Sequence, residues 1–250
     1  MHPVTFRGRH MICHCLLLET EQSGLVLVDA GFGVRDFEQP ELRCGKAFPK
    51  FVRPERNTDH AALSQVRALG FKGEDVRHIV LTHMDLDHVG GLVDFPHATV
   101  HVHAVEHTLA MTRPTVTSRQ RYRPVMWEHN PTFATYGDLG EPWFGFDAVR
   151  QLDGLPPEVL LIPLIGHTRG HTGIAVETDK GWLLHAGDAY FAHGEVHAPT
   201  RECPTGLRIF QSLVEMDRKA RLTNQTRLRQ LAASNPHVRV FSAHDPTEFN

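Results

Sequence analysis

A short cluster of histidines and aspartates directly after a buried strand is the feature that most constrains this chain. Residues 78–82 (HIVLT) are β-branched and apolar, which predicts a strand buried on both faces. Residues 83–88 (HMDLDH) follow at once and place four potential metal ligands within six positions. A loop at a strand end can direct several side chains to one point. The pattern therefore predicts a metal site at the edge of a sheet in an α/β fold.

Three later segments repeat the arrangement of a predicted strand followed by a histidine or an aspartate. They deliver His171 (within GHTRGH), Asp188 and His244 after the predicted strands 159–165, 182–185 and 238–242. Strand ends in layered α/β folds line one edge of the sheet, where active sites form. The histidines and aspartates at these ends are therefore candidates to share one metal site.

The remaining pattern alternates strands and helices. Strands are predicted at 11–18 and 24–29, as a hairpin, and at 98–103 and 173–178; helices are predicted at 58–69, 104–111 and 209–233. Residues 32–57 predict a long loop. Residues 112–150 predict a loop-rich insert whose aromatic content favours a covering role over disorder. We predict a single domain over residues 1–250.

Composition excludes several classes of function. The 250 residues suffice for a sizeable core, and the net charge of −3 does not favour nucleic acid as a partner. The sequence shows neither an apolar run of the ~20 residues that span a bilayer nor an export signal. Four cysteines do not form a disulfide framework. We therefore expect a cytoplasmic protein with no membrane partner and reduced cysteines.

The ordered motifs resemble those of the metallo-β-lactamase superfamily. The resemblance covers about residues 12–245 and includes the opening segment 28–31 (VDAG). It implies a four-layer αββα sandwich with two divalent metal ions, expected to be zinc, with iron or manganese as alternatives. By motif position, the first ion would be held by His83, Asp85 and His171, the second by Asp87, His88 and His244, and Asp188 would bridge them.

The resemblance also implies a reaction. A hydroxide shared by two metal ions would attack the electrophilic centre of a small molecule with an ester or lactone bond. Asp87, Asp188 and Tyr190 are the candidate catalytic residues. The quorum-quenching lactonase group has the most similar motif layout, but its tyrosine lies three residues beyond the bridging aspartate. Here Tyr190 lies two beyond Asp188 and Phe191 takes the third place, so the identity of the substrate stays open.

Asp85 departs from the usual HxHxDH pattern of this superfamily. A carboxylate there adds a negative charge and favours harder metals such as iron or manganese. A carboxylate at this place also resembles the oxygen-reducing flavodiiron branch, so a di-iron redox protein is one alternative. A metal-binding member without catalysis is another. Asp85 itself is either a metal ligand or a residue that supports the ligands.

Other polar residues are interpreted as structural. We expect Asp29 to be a buried hydrogen-bonding partner, and His167 to support a turn or a ligand. His101, His103 and His107 are expected to lie in the core or in solvent. The aromatic insert could form the contact of a homodimer.

Overall fold

The computed structural model describes residues 4–6, 9–46, 48–137, 140–148 and 152–248. The chain divides into two compact units. The first consists of Met1–Val102 and His107–Thr135, and the second of His103–Glu106 and Tyr136–Asn250. Residues 138–139 and 149–150 of the predicted insert lie outside the described residues. The single domain predicted for residues 1–250 stays a prediction.

The first unit is built on a five-stranded sheet of order β3-β4-β5-β6-β7. Its strands are β3 (Leu16–Thr20), β4 (Gly24–Val28), β5 (Val76–Val80), β6 (Thr99–His103) and β7 (Thr132–Tyr136), after a small antiparallel pair of β1 (Val4–Phe6) and β2 (Arg9–Met11). The predicted hairpin is confirmed, since β3 and β4 pair antiparallel, whereas β4, β5 and β6 run parallel. The predicted strand over 11–18 is wrong in its middle. An apolar run alone does not separate a strand from a buried extended segment.

Short helices connect these strands. They are α1 (Val34–Glu38), α2 (Pro40–Arg43), α3 (Phe48–Phe51), α4 (Ala62–Ala68), α5 (Leu86–Val89), α6 (Ala104–Thr112) and α7 (Val116–Arg121). The helix predicted at 104–111 is confirmed as α6. The helix predicted from residue 58 begins instead with a separate 3-10 turn, Thr58–His60, because the Asn57 side chain accepts a hydrogen bond from the backbone N–H of Asp59.

The long loop predicted over 32–57 is wrong, because α1, α2 and α3 occupy much of it. A buried ion pair holds this segment: Arg43 Nε lies 2.5 Å from Asp36 Oδ1, and the two side chains are almost fully buried. The Asp36 carboxylate also accepts a hydrogen bond from the backbone N–H of Gly33. These contacts join residues that show no apolar periodicity, so the sequence pattern did not reveal them.

The predicted insert is also more regular than expected. It contains α6's last residue, α7, a 3-10 turn (Pro124–Trp127), β7, β8 (Glu141–Trp143) and β9 (Phe146–Ala148). Several of its aromatic side chains are buried, including Tyr122 in the first unit and Trp143 and Phe146 in the second. Packing inside a unit therefore accounts for these three aromatic residues.

The second unit is built on a four-stranded sheet of order β10-β11-β12-β13. Its strands are β10 (Val159–Pro163), β11 (Thr172–Thr178), β12 (Gly181–His185) and β13 (Val238–Phe241). The last pair is parallel and the other two are antiparallel. Apolar side chains from these strands form a buried cluster with Leu228 and Leu231. The strands predicted before the three later ligands are thus confirmed within a few residues.

The single helix predicted over 209–233 is two helices, α8 (Thr205–Val214) and α9 (Arg218–Ser234). The backbone N–H groups of Met216 and Asp217 donate to the carbonyl oxygen of Gly166 at 3.0 and 2.8 Å, outside any helical ladder. The Asp217 side chain then caps α9 by accepting from the N–H of Ala220. In the described part of the chain, no helix has the length and apolar character needed to cross a bilayer.

Candidate metal centre

We call His83, Asp85, Asp87 and His88 the first cluster. It lies in the first unit and begins three residues after the end of β5, and Asp85 is the residue that precedes α5. The chain here passes close to the segment after β4, since Gly91 N–H donates to the Gly31 carbonyl at 3.0 Å. A Cβ at Gly91 would lie 2.3 Å from the carbonyl oxygen of Ala30. Only glycine permits this approach, which explains the glycines that follow the histidine cluster.

The Asp29 carboxylate orients the first cluster through its contacts with Thr82 and His88. Its carboxylate accepts hydrogen bonds from the backbone N–H and the hydroxyl of Thr82, both at 2.8 Å. Its Oδ2 lies 2.8 Å from Nδ1 of His88, so that nitrogen carries the proton and Nε2 keeps its lone pair. The prediction that Asp29 is a buried hydrogen-bonding partner is confirmed.

The two histidine rings of the first cluster lie side by side. Their centroids are 4.0 Å apart, and Nδ1 of His83 is 3.0 Å from the Thr82 hydroxyl. Each ring also approaches a carboxylate: Nε2 of His83 lies 3.4 Å from Asp85, and Nε2 of His88 lies 4.0 Å from Asp87. The structure thus brings all four residues of the first cluster together.

Arg121 was missed by the sequence analysis. Its Nε lies 2.5 Å from Oδ1 of Asp85 and its Nη2 lies 2.7 Å from Oδ2, so the guanidinium binds both carboxylate oxygens. The two side chains are 11% and 16% exposed. Arg121 lies 36 positions along the chain from Asp85, and no spacing rule connects two such residues.

We call His171, Asp188 and His244 the second cluster. It lies in the second unit, where each residue follows or precedes a strand of the four-stranded sheet. The carboxylate of Asp188 lies 3.0 Å from Nε2 of His244. The backbone N–H of Asp188 donates to Nε2 of His171 at 2.9 Å. On its other side, His171 donates from Nδ1 to the Leu164 carbonyl at 2.9 Å. That contact selects the tautomer whose Nε2 carries the lone pair.

His167 also approaches the carboxylate of Asp188. Its Nε2 lies 3.3 Å from Oδ2 of Asp188, and the side chain is buried. The prediction that His167 supports a ligand or a turn agrees with this contact. The two histidines, His167 and His244, therefore approach different oxygens of one carboxylate.

The backbone around GHTRGH is held by the start of α9. Gly166 has φ of 143°, and a Cβ at this position would lie 2.4 Å from the backbone nitrogen of Arg221. Its carbonyl accepts the two N–H groups that separate α8 from α9. Because the loop and the helix start touch through backbone atoms, the break between the helices contributes to the placement of His167.

The burial and contacts of Tyr190 do not support the catalytic role predicted for it. The side chain is fully buried, and its hydroxyl donates to Oε1 of Glu248 at 3.0 Å. Burial, with Glu248 alongside, raises the pKa of Tyr190 well above its ordinary value. Phe191, in the third place beyond Asp188, stacks on the His244 ring at 4.9 Å. Neither residue offers a phenol to the second cluster, so we do not carry Tyr190 into the proposed mechanism.

The remaining histidines predicted to be structural are consistent with packing. His101 and His103 are buried, and Nε2 of His101 lies 2.9 Å from Nδ1 of His78. Burial lowers the pKa of His101 to about 4. His107 packs against Phe133 at 4.7 Å. The prediction of a core or solvated role is confirmed for these residues.

One further group of potential ligands lies in the second unit. His193, His197 and Glu248 offer ligand atoms within 4.8 Å of one another. Glu248 already accepts hydrogen bonds from the Tyr190 hydroxyl and from the N–H and hydroxyl of Ser242. His197 also meets the Val240 carbonyl through Nε2 at 2.9 Å. We therefore infer that this group attaches the 3-10 turn Pro246–Glu248 to β13.

The donor sets of both clusters fit divalent metal ions. Each cluster combines imidazole nitrogens with carboxylate oxygens, the ligands typical of zinc, iron and manganese sites. The histidines of both clusters and Asp188 are at most 4% exposed. Buried imidazoles whose Nδ1 atoms are held by an outer carboxylate or carbonyl are the usual arrangement of metal-binding histidines.

Comparison with known proteins identifies the family. The family model of the metallo-β-lactamase superfamily matches residues 8–244. The chain belongs to the metallo-β-lactamase superfamily. A probable metallo-hydrolase of Mycobacterium tuberculosis is 41% identical over 240 residues, which cover 96% of this chain and 76% of the relative. The superfamily assignment made from the motifs is therefore confirmed, and the relative supports a metal-dependent hydrolase.

Lactonases are among the more distant relatives of this chain. An N-acyl homoserine lactonase of Bacillus cereus is 24% identical over 170 residues, or 68% of this chain and 60% of the relative. The structure of an N-acyl homoserine lactone hydrolase, with N-hexanoyl-L-homoserine bound at its catalytic metal centre, superposes with a TM-score of 0.71 at 20% identity. It covers 96% of this chain and 84% of that protein. The predicted α/β, metallo-β-lactamase fold class is confirmed by this similarity.

Proposed function

We propose that this protein is a dinuclear metal-dependent hydrolase that cleaves an ester or lactone bond in a small molecule. The seven residues of the two clusters are its proposed ligands: His83, Asp85 and His171 for one ion, Asp87, His88 and His244 for the other, and Asp188 between them. The observation that carries the proposal is the support behind the ligands. Asp29 holds His88 in the tautomer that metal binding requires, and the Leu164 carbonyl selects the same tautomer of His171, whose Nε2 would exchange the Asp188 N–H for the ion.

The chemistry supplied by two bound divalent ions is activation of water near neutral pH and polarisation of the scissile carbonyl. The chain's own residues supply orientation and proton transfer. Asp87 lies in the first turn of α5, 25% exposed, and is proposed to orient the attacking water and accept its proton. Asp188, fixed between His167 and His244, is proposed to keep its carboxylate in one orientation during turnover.

The substrate class rests on the relatives. Lactonases of this superfamily resemble the chain over most of its length, which favours lactones and related esters for the first assays. Phe191 at the third place beyond Asp188 removes the phenol expected of the lactonase group at that position. We therefore propose a lactone or ester substrate without assigning the acyl chain.

The test is hydrolysis by the purified protein, loaded separately with zinc, iron and manganese, against a panel of acyl-homoserine lactones, simple lactones and aryl esters. We expect about two metal ions per chain and turnover of at least one substrate class. Asp188→Asn should reduce kcat by about 10²-fold or more, because it removes the carboxylate charge that the proposal places between the ions. Asp179→Asn, an exposed aspartate of the same unit, is the matched control.

Two results would overturn the proposal. One is a folded wild-type protein that binds none of the three metals. The other is a metal-loaded protein in which Asp188→Asn and Asp179→Asn hydrolyse the substrate equally well. Thermal melting of both variants, measured alongside, separates loss of chemistry from loss of folding.

The alternative of a di-iron redox protein rested on the carboxylate at position 85. The relatives described above are hydrolases by name, which does not support that alternative. The contact of Asp85 with Arg121 gives this carboxylate a partner that does not depend on iron. Metal content with iron alone, together with oxidase activity and no hydrolysis, would restore the redox alternative.

A further inference from the structure

The pair formed by Asp85 and Arg121 is the least expected feature beside the proposed metal ligands. Both oxygens of Asp85 receive a guanidinium N–H, at 2.5 and 2.7 Å, in the parallel geometry that makes such pairs strong and directional. Oδ2 of the same carboxylate lies 3.4 Å from Nε2 of His83. A carboxylate has about four lone-pair sites, so Asp85 can bind Arg121 and still offer an oxygen toward His83.

The position of Arg121 is determined by structure on both sides of it. It is the last residue of α7, whose start is capped by Thr115: the side chain of Thr115 accepts from the N–H of Ser118. Two residues later, Arg123 donates to the carbonyl oxygens of Leu42 and Arg43. Between them Tyr122 is fully buried. Arg121 is therefore held from both sides on a well-attached segment of the first unit.

The formal charge of the proposed metal centre explains the presence of a guanidinium beside Asp85. Two divalent ions carry four positive charges, and Asp85, Asp87 and Asp188 remove three, which leaves one. The usual histidine at position 85 would leave two. The permanent positive charge of Arg121 raises the total to two again, so the carboxylate and the arginine together match one neutral imidazole.

We propose that Arg121 is a positioning residue that neutralises Asp85 and so tunes the metal affinity and reactivity of the proposed centre. This inference rests on the proposed function. If Arg121 acts on the metal centre, its loss should change metal affinity in one defined direction. An ion pair that only stabilises the fold predicts no such direction. Removing Arg121 leaves an uncompensated anionic ligand, which should bind metal more tightly and activate water less well.

Arg121→Gln is the direct test, with Arg119→Gln as its matched control. Arg119 lies on the same helix, is exposed, and meets only the Arg113 carbonyl at 3.5 Å among the contacts described for it. We expect Arg121→Gln to bind zinc about 10- to 100-fold more tightly in competition with a chromogenic chelator, and to lose about tenfold in kcat. Arg119→Gln should match the wild type in both measurements.

The pairing is tested further by exchanging both residues. Asp85→His alone should bind zinc more weakly than the wild type, because the arginine charge is then unopposed. The double variant Asp85→His with Arg121→Gln should recover zinc affinity and kcat to within a few-fold of the wild type. An ion pair that only stabilises the fold predicts no such recovery, because the double variant lacks both partners.

The outcomes separate this inference from the proposed function. A wild-type protein that binds no metal would end the proposed function and this inference with it. A wild-type protein that binds two ions and hydrolyses substrate would overturn the inference alone under either of two results. One is unchanged or weaker zinc binding by Arg121→Gln, and the other is a double variant no better than Asp85→His.

Discussion

The two clusters of proposed ligands are built in different ways. The first comes from six consecutive residues after one strand, with Asp29 and Thr82 as its support. The second is assembled from His171, Asp188 and His244, which lie at separate strand ends and are 73 positions apart from first to last. Its members contact one another through the carboxylate and the backbone of Asp188.

Because of this difference, the geometry of each cluster depends on a different kind of support. The first cluster depends on local spacing and on a few hydrogen bonds from an outer carboxylate, so a change at Asp29 should act on metal binding. The second cluster depends on the register of a sheet and on backbone packing, so a change at Gly166 should act on folding. Variants of the two supports can therefore test whether the comparison is correct.

The largest effect is expected at the backbone support of the second cluster. Gly166→Ala places a Cβ about 2.4 Å from the backbone nitrogen of Arg221, at a φ of 143° that other residues rarely adopt. We expect the free energy of unfolding to fall by about 2–5 kcal/mol, the sum of backbone strain and overpacking. Chemical denaturation measures this. Gly137→Ala, with open space around its Cβ, should change stability little, and equal losses for both would contradict the account.

A smaller effect, on a different property, is expected at the support of the first cluster. Asp29→Asn keeps the shape of the side chain but weakens its hold on Nδ1 of His88. Loss of such an outer carboxylate reduces metal affinity by about 10- to 100-fold. Zinc competition titration measures it. Asp59→Asn, an exposed aspartate of the same unit, is the control. Unchanged zinc affinity in Asp29→Asn would show that the outer carboxylate does not orient the ligand.

The smallest effect, counted per pH unit, is expected at His101, a buried histidine of β6 that is not a proposed ligand. Burial lowers the pKa of His101 to about 4, against an ordinary value of 6.5. Between these values the unfolded chain binds a proton that the folded chain does not, so this residue makes stability fall as the pH falls from about 6.5 to about 4. One proton corresponds to at most about 1.4 kcal/mol per pH unit.

His101→Gln should therefore flatten the acid side of the stability profile of metal-free protein and leave zinc affinity unchanged. His97→Gln, at an exposed position nearby, is the matched control for zinc affinity, which it should leave unchanged. A profile equally steep in His101→Gln and wild type would contradict the assignment. Weaker zinc binding would contradict the separation of this histidine from the ligands.

Local patterns made most of the architecture predictable. The strands before each proposed ligand show apolar and β-branched runs that end within a few residues of the predicted positions. The buried, hydrogen-bonded state of Asp29 was also predicted from the sequence. These features depend on neighbours in sequence, which is why a single sequence contains them.

Other features depend on contacts between distant residues. The break before Asp217 exists because backbone groups there bind the Gly166 carbonyl. The Asp85–Arg121 pair joins residues whose spacing matches no motif. The buried Asp36–Arg43 pair joins α1 to α2 across residues whose spacing also matches no motif. None of these contacts produces a periodic pattern in the sequence.

We propose that the two clusters together hold two metal ions. The most direct test is a crystal structure of the zinc-loaded protein with anomalous diffraction measured at the zinc edge. We predict two anomalous peaks about 3.5–4 Å apart, ligated by the histidines of both clusters and with Asp188 in contact with both. Well-ordered crystals grown with zinc that show no peak at either cluster would contradict the claim.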